Sequence, residues 1–185
     1  MAIKTFTSGE VLTAADTNTY LANSGLVYIA NGTLSLTTTA TNVTGVFSST
    51  YKNYRVLFYV SARSTTNTVD MKYIVGTTPT SNGYYQAGIG SDYASNTVIY
   101  YPRTNGTTQF IGLNVSLPTG LTMDIFNPNR TGNTLHTGTA SDASTGFAFS
   151  LGGENITSNQ YTGFQLLTST GTATVEYQVF GYREA

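Results

Sequence analysis

Thr174-Val175-Glu176-Tyr177-Gln178-Val179-Phe180 puts Val175, Tyr177 and Val179 on one side of an extended chain and Glu176 and Gln178 on the other. Alternation of that kind marks a β-strand with one buried face and one face that is wet or in contact. Tyr54-Arg55-Val56-Leu57-Phe58-Tyr59-Val60 is the second clear run. Working outward, shorter runs of the same kind occupy 26–30, 33–37, 42–47, 69–75, 84–89, 97–101, 108–113, 121–126, 135–139, 146–151 and 163–167. Between them fall the turn signals Thr77-Thr78-Pro79, Asn105-Gly106, Pro118-Thr119-Gly120, Asn127-Pro128-Asn129 and Gly152-Gly153. The spacing predicts an all-β body of about eight to ten strands in two packed sheets. A jelly-roll-like antiparallel sandwich suits that count, with a closed eight-stranded barrel as the alternative.

Composition agrees with strands and narrows the function. The chain has 185 residues, enough for one domain that buries a core without metals or disulfides, and it has no cysteine. Thirty-five threonines, 14 tyrosines and 19 glycines favour strands joined by tight turns. Only 9% of residues are charged and the net charge is -1, so no basic stripe exists to hold nucleic acid or an anionic membrane. So low a surface charge is unusual for a free monomer and is explained if much of the surface is buried in an assembly. No run approaches the roughly 18 apolar residues of a membrane span, and the start lacks the apolar stretch of a secretory signal. The expectation is a chain made and kept in a cytosol.

The segment Ser8 to Ala22 is the only one that reads as helix. Thr13 stands at a capping position with Asp16 three residues on, which predicts a helix over 14–22. A helix that short does not recover its nucleation cost in water and needs a surface to lie on. The expected organisation is therefore an attachment or oligomerisation segment over 1–24 and a β domain over 25–185.

Catalysis needs converging groups with pKa values pushed apart, and candidates are few. His136, the one histidine, alternates with apolar neighbours on a strand and reads as facing water or an interface. One histidine builds no two-histidine metal site, and no Asp-x-Asp-x-Asp calcium loop is present. Asp70, Asp124 and Glu176 fall mid-strand and are expected to face solvent, a subunit interface or a cation. Gly88-Ile89-Gly90 and Gly152-Gly153 are followed by no helix that would take a phosphate, and both read as turns. The expectation is a non-enzyme with no catalytic residue, no metal and no cofactor. The aromatic cluster Tyr84, Tyr85, Tyr93, Tyr100 and Tyr101 is the main candidate for ligand or subunit contact. Adjacent tyrosines on a strand point to opposite faces, so one of each pair is expected in the core.

Phe6-Thr7-Ser8-Gly9-Glu10-Val11-Leu12-Thr13-Ala14-Ala15-Asp16-Thr17-Asn18-Thr19-Tyr20-Leu21 resembles the opening of many tailed-bacteriophage virion structural proteins, of tail-fibre, collar-fibre, minor-tail or capsid-decoration type. The pattern there is close to Ser-Gly-Glu-Val-Leu-Thr-Ala-Ala-Asp-Val-Asn-x-Tyr-Leu, with Thr17 here where valine is common. The resemblance covers about 16 residues and implies an N-terminal segment that joins the virion, through Val11, Leu12, Ala15, Tyr20 and Leu21, while the β domain projects outward. It further implies capsid, portal or tail proteins as partners, a homotrimer, and a place on the virion surface after synthesis in the host cytoplasm. A receptor-binding module that holds host surface polysaccharide on exposed tyrosines is the alternative.

Overall fold

The structure, a computed structural model, describes residues 7–11, 13, 25–65, 68–92, 95, 97–100, 102–112, 119–142 and 147–183. The strands in the first half are β1 (Leu26–Leu36), β2 (Thr41–Val43), β3 (Asn53–Arg63), β4 (Val69–Val75), β5 (Thr78–Pro79), β6 (Tyr84–Asp92) and β7 (Thr97–Tyr100). The second half adds β8 (Arg103–Gly106), β9 (Gln109–Gly112), β10 (Thr119–Phe126), β11 (Thr134–Asp142), β12 (Phe147–Asn155), β13 (Gly163–Thr168) and β14 (Ala173–Tyr182). All pairings are antiparallel, and they form two sheets packed as a sandwich. The larger runs β1-β14-β3-β10-β11-β12-β6-β7, with β8 on the same edge of β6 as β7. The smaller runs β2-β13-β4, with β5 and β9 sharing the far edge of β4.

Alternation decides which face of each strand is inside. In β10, Thr119, Leu121, Met123 and Ile125 are buried and their neighbours half-buried. In β3, Tyr54, Val56, Phe58 and Val60 are buried while Arg55, Leu57 and Tyr59 turn outward. Register carries the pattern across the sheet, because Met123 lies opposite Val56 and Val56 opposite Val179. Each such aliphatic or aromatic side chain contributes about 1.5–3 kcal/mol by leaving water. The core is also rich in tyrosine. Tyr73 stacks on Tyr161 at 4.9 Å and on Tyr84 at 6.0 Å, with interplanar angles of 24° and 21°. Two of these rings are anchored by their hydroxyls. Tyr84 accepts from the Tyr73 backbone N–H at 2.7 Å, and Tyr161 donates to Asn155 Oδ1 at 2.7 Å.

Several expectations are corrected. Fourteen strands stand among the described residues rather than eight to ten, in part because short edge strands such as β5 and β8 carry no long apolar run. The runs at 26–30 and 33–37 are one strand, interrupted by a bulge between Tyr28 and Ala30 that pairs β1 with β14 on both sides. Thr78-Pro79 is a strand rather than a turn, and Thr119-Gly120 opens β10. Gly88-Ile89-Gly90 and Gly152-Gly153 are not turns either; they lie inside β6 and β12. At Gly153 a Cβ would stand 2.8 Å from His136 Nε2 and closer still to the Tyr85 carbonyl, so the glycine serves close approach of neighbouring chain. The expected helix over 14–22 lies outside the described residues. No helix long and apolar enough to cross a membrane occurs among the described residues.

Candidate functional site

The outer face of the large sheet is where the structure gathers side chains that the core does not use. Two zones follow from the register. Across β10, β11, β12, β6 and β7 the outward residues are Thr122, Thr139, Ser150, Ile89 and Tyr100 in one line, with Gly120, Ser141, Ala148, Ser91 and Val98 beside it. These ten positions carry no charged side chain. Their centre is made of small residues and their β7 margin is apolar and open: Ile89 is 52% exposed, Val98 53% and Tyr100 70%. A flat, neutral strip of this kind offers contact area with few solvated groups to strip of water.

The second zone crosses β1, β14 and β3. Thr33, Glu176 and Tyr59 form one cross-strand row, and Asn31, Gln178 and Leu57 form the next. Together they border a shallow trough of about 370 Å³. Tyr59 stands as its wall, 44% exposed. On the far side of Tyr59 lies Gly120, whose missing side chain leaves open space. The floor is firm: Tyr177 fits under Gly32, where a Cβ would come within 2.8 Å of its ring, and its edge meets Phe164 at 5.7 Å and 89°.

One charged pair interrupts this face further along β3 and β10. Arg55 donates to both oxygens of Asp124 at 2.8 and 2.7 Å, and the Tyr182 hydroxyl donates to Asp124 Oδ1 at 2.7 Å. Partial burial alone would raise the Asp124 pKa, but the bonds from Arg55 and Tyr182 outweigh it and hold the carboxyl below its ordinary value. Burial and the bond to Asp124 push Tyr182 up to about 12. This is a fully occupied structural pair, not a poised acid or base.

The residues singled out from sequence scatter. Tyr84 has no exposed surface and belongs to the core stack. Tyr85 turns to the outer face, where it is half-buried, and Tyr100 joins the neutral strip. Tyr93 and Tyr101 lie outside the described residues, as do Leu12, Ala15, Tyr20 and Leu21 of the N-terminal segment, while Val11 is described and 77% exposed. Asp70 is corrected from an outward carboxylate to a buried one that accepts the Thr108 hydroxyl at 3.0 Å. His136 is corrected from an outward residue to a core one, opposite Ile125 on β10, because its strand is longer than its apolar run and its even-numbered side faces in. Burial alone pushes it down to about 4, and neither ring nitrogen has a hydrogen-bond partner among the described residues. The Thr134 hydroxyl is likewise buried without a hydrogen-bond partner among the described residues.

Sequence reading missed Tyr59 and the trough it walls. Its signal was present, since Tyr59 and Glu176 are outward residues of the two clearest strands, but strand pairing had to be known before they met. Among the described residues no group of three or more His, Asp or Glu is placed to hold a metal ion. No protein-family model, curated protein or solved structure matches the chain.

Proposed function

We propose that the chain is a non-enzymatic structural protein of a tailed-phage virion, a surface appendage of tail-fibre, collar-fibre or head-decoration type. In this reading the N-terminal segment binds a capsid, portal or tail protein, and the β body assembles with further copies, as a homotrimer, through the neutral strip. The N-terminal resemblance over Phe6 to Leu21 carries the virion role, and the assembly is supported by the strip. A second copy laid on it meets small neutral side chains and open Ile89, Val98 and Tyr100, with no like charge facing like charge. That is also where the low overall charge acquires a physical reason.

The jelly-roll reading is supported by strand order. Eight strands, β1, β2, β3, β4, β9, β10, β13 and β14, are taken in chain order. The first, eighth, third and sixth neighbour one another in the large sheet, and the second, seventh, fourth and fifth in the small one. Two interlocked Greek keys give this arrangement. The insertions that carry β6, β7, β11 and β12 then widen the large sheet on the β10 side, and they supply most of the strip.

Light scattering on the full-length protein tests the assembly. The expected mass is three times the 19.7 kDa chain, and Ser150→Lys, which plants a charge at the centre of the strip, should yield monomer with an unchanged melting transition. A trimer indifferent to Ser150→Lys removes the strip from the interface. Immunogold labelling of intact tailed particles from cells that make the chain tests the virion role, and label confined to soluble cell contents would refute it.

A further inference from the structure

Where β1 begins, the outer face of the large sheet turns aromatic, and from that placement we infer that segment 14–22 of the chain docks there, as a helix, on its own β body. Two cross-strand rows make the platform. Leu26 lies opposite Tyr182, and Tyr28 lies opposite Phe180, whose ring it meets edge-on at 6.0 Å and 72°. Asn53 of β3 and Phe126 of β10, themselves opposite one another, continue the row of Leu26 and Tyr182. Leu26 and Tyr28 are exposed, and Phe180, Tyr182 and Phe126 are half-buried. Apolar side chains gathered in this way on the outside of a sheet mark a contact surface.

The point where the chain enters the sheet selects the occupant. The predicted helix is joined to Leu26 by Asn23, Ser24 and Gly25 alone, a tether of about 10 Å. Gly25 has φ +104°, which residues with a side chain rarely adopt, so the chain turns off the line of β1 at this point. The Arg183 backbone N–H donates to the Gly25 carbonyl at 2.9 Å and fixes where the turn sits. A helix over 14–22 is about 13 Å long. From β1 to β10 there are three strand spacings, about 14 Å. The helix therefore spans the platform, with residue 22 over β1 and residue 14 over β3 and β10. At about 100° per residue, Ala14, Ala15, Leu21 and Ala22 fall within one arc of about 120°. Three alanines let the backbone lie close on the rings of Tyr28 and Phe180, and Leu21 supplies the apolar anchor. A helix this short is stable only on such a surface.

Reach excludes the other open apolar cluster. Ile89, Val98 and Tyr100 lie up to seven strand spacings from β1, about 34 Å, beyond the roughly 23 Å that tether and helix cover together. The same segment of a second copy has the same chemistry, but a segment on so short a tether is already present at a local concentration of about millimolar. Val11, which is exposed, precedes the helix and stays outside the contact. Docking is a property of the single chain. Its consequence for attachment rests on the virion reading: Ala15 and Leu21 then serve two surfaces, and the segment must leave the sheet before it joins a capsid, portal or tail protein.

The chain has no cysteine, so an engineered pair reports contact without background. Oxidation of the full-length Ala14→Cys, Asn53→Cys protein tests the docking, because a disulfide needs Cα atoms about 4.4–6.8 Å apart. The expected product is a bond within one chain, seen as loss of thiols with no larger species on a non-reducing gel. It should form about tenfold faster than in Ala14→Cys, Ser150→Cys, whose second cysteine lies on the strip. Adding Leu21→Asp should slow it about tenfold, the change that removal of one buried leucine gives. In the natural protein, hydrogen exchange at amides 14–22 should be about tenfold slower than in Leu21→Asp. Bonds between chains would give the platform to a second copy's segment and overturn the assignment. Equal rates for the two cysteine pairs, or exchange at 14–22 as fast as in Leu21→Asp, would overturn it as well. The assembly mass and the labelling of particles are separate readouts, so the docked segment and the structural role stand or fall separately.

Discussion

Acidification from about pH 7.5 to about pH 4 should cost the fold about 3 kcal/mol through His136 alone. The imidazole lies on the inner face of β11 with 1% of its surface exposed, and burial holds its pKa down at about 4 against the ordinary 6.5. In the folded protein the neutral ring is therefore favoured, whereas the unfolded chain takes up its proton near pH 6.5. Above that value both states are neutral and the full stability is present. As pH falls below it the unfolded state gains protons first, and stability declines until the folded ring also titrates near pH 4. That gap, at about 1.4 kcal/mol per pH unit, gives about 3 kcal/mol. Against a total of roughly 5–15 kcal/mol the loss is large. With a urea slope of about 2 kcal/mol/M it should lower the unfolding midpoint by about 1.5 M.

The assay is urea unfolding followed by tyrosine fluorescence at half-unit pH steps, for the natural protein and for His136→Leu. The variant removes a buried ring with no hydrogen-bond partner among the described residues, so it should be at least as stable near pH 7.5. Between pH 6.5 and 4.5 its midpoint should stay nearly level while the natural protein's falls. Asp124 does not mimic this effect, because its carboxyl is held below the ordinary carboxylate value and its contribution disappears at lower pH than that of His136. A flat midpoint in the natural protein, or an equal slope in both proteins, would show that the burial argument is wrong.

Three further outcomes are expected. Gly163→Ala would drive a Cβ into the Val43 carbonyl oxygen and should cost more than about 3 kcal/mol or abolish folding, whereas Gly120→Ala meets nothing within 4 Å and should change the melting temperature little. Asn155→Ala removes the acceptor of the Tyr161 hydroxyl and of the Thr157 backbone and hydroxyl, and the donor to the Asn82 carbonyl. Its cost should be about 3 kcal/mol by chemical denaturation, with Asn155→Asp recovering part of it through the retained acceptor. Asp124→Ala breaks a pair whose arginine side chain is 35% exposed, so its cost should be only about 1 kcal/mol and should shrink in high salt.

How much of this was legible in the sequence depended on how local the cause was. The two strands with strict alternation, β3 and β14, declared both their state and their inward faces, since Val175, Val179, Val56 and Phe58 repeat every second residue. The same cue failed at Gly152-Gly153, where glycine inside a strand looks like glycine in a turn until the neighbour that needs the space, His136, is known. It failed at His136 too. One polar residue between Leu135 and Thr137 gives no sign of which parity faces in, and β11 buries the even positions because Met123 and Ile125 of β10 do. At Asp70 the partner, Thr108, is 38 residues away. These are all facts of pairing across the sheet, and pairing is what a single sequence read residue by residue leaves out.

The same logic explains why the tyrosine cluster divides between core and surface while Tyr59 was overlooked. Proximity along the chain drew attention to 84–101, yet the turn of successive side chains to opposite faces sends Tyr84 into the core and Tyr85 out. Proximity across strands is what builds a surface, and Tyr59 and Glu176, which are 117 positions apart, are direct neighbours in it. A protein that carries so few charges must make its outer contacts with rings, hydroxyls and amides, whose effect depends on arrangement more than on count. The outer face shows two such arrangements from one vocabulary. Beside β1 exposed amides, a hydroxyl and a carboxylate surround the half-open ring of Tyr59. Beside β7 they are reduced to serine, threonine, alanine and glycine around exposed Ile89, Val98 and Tyr100, which suits a dry contact with another copy.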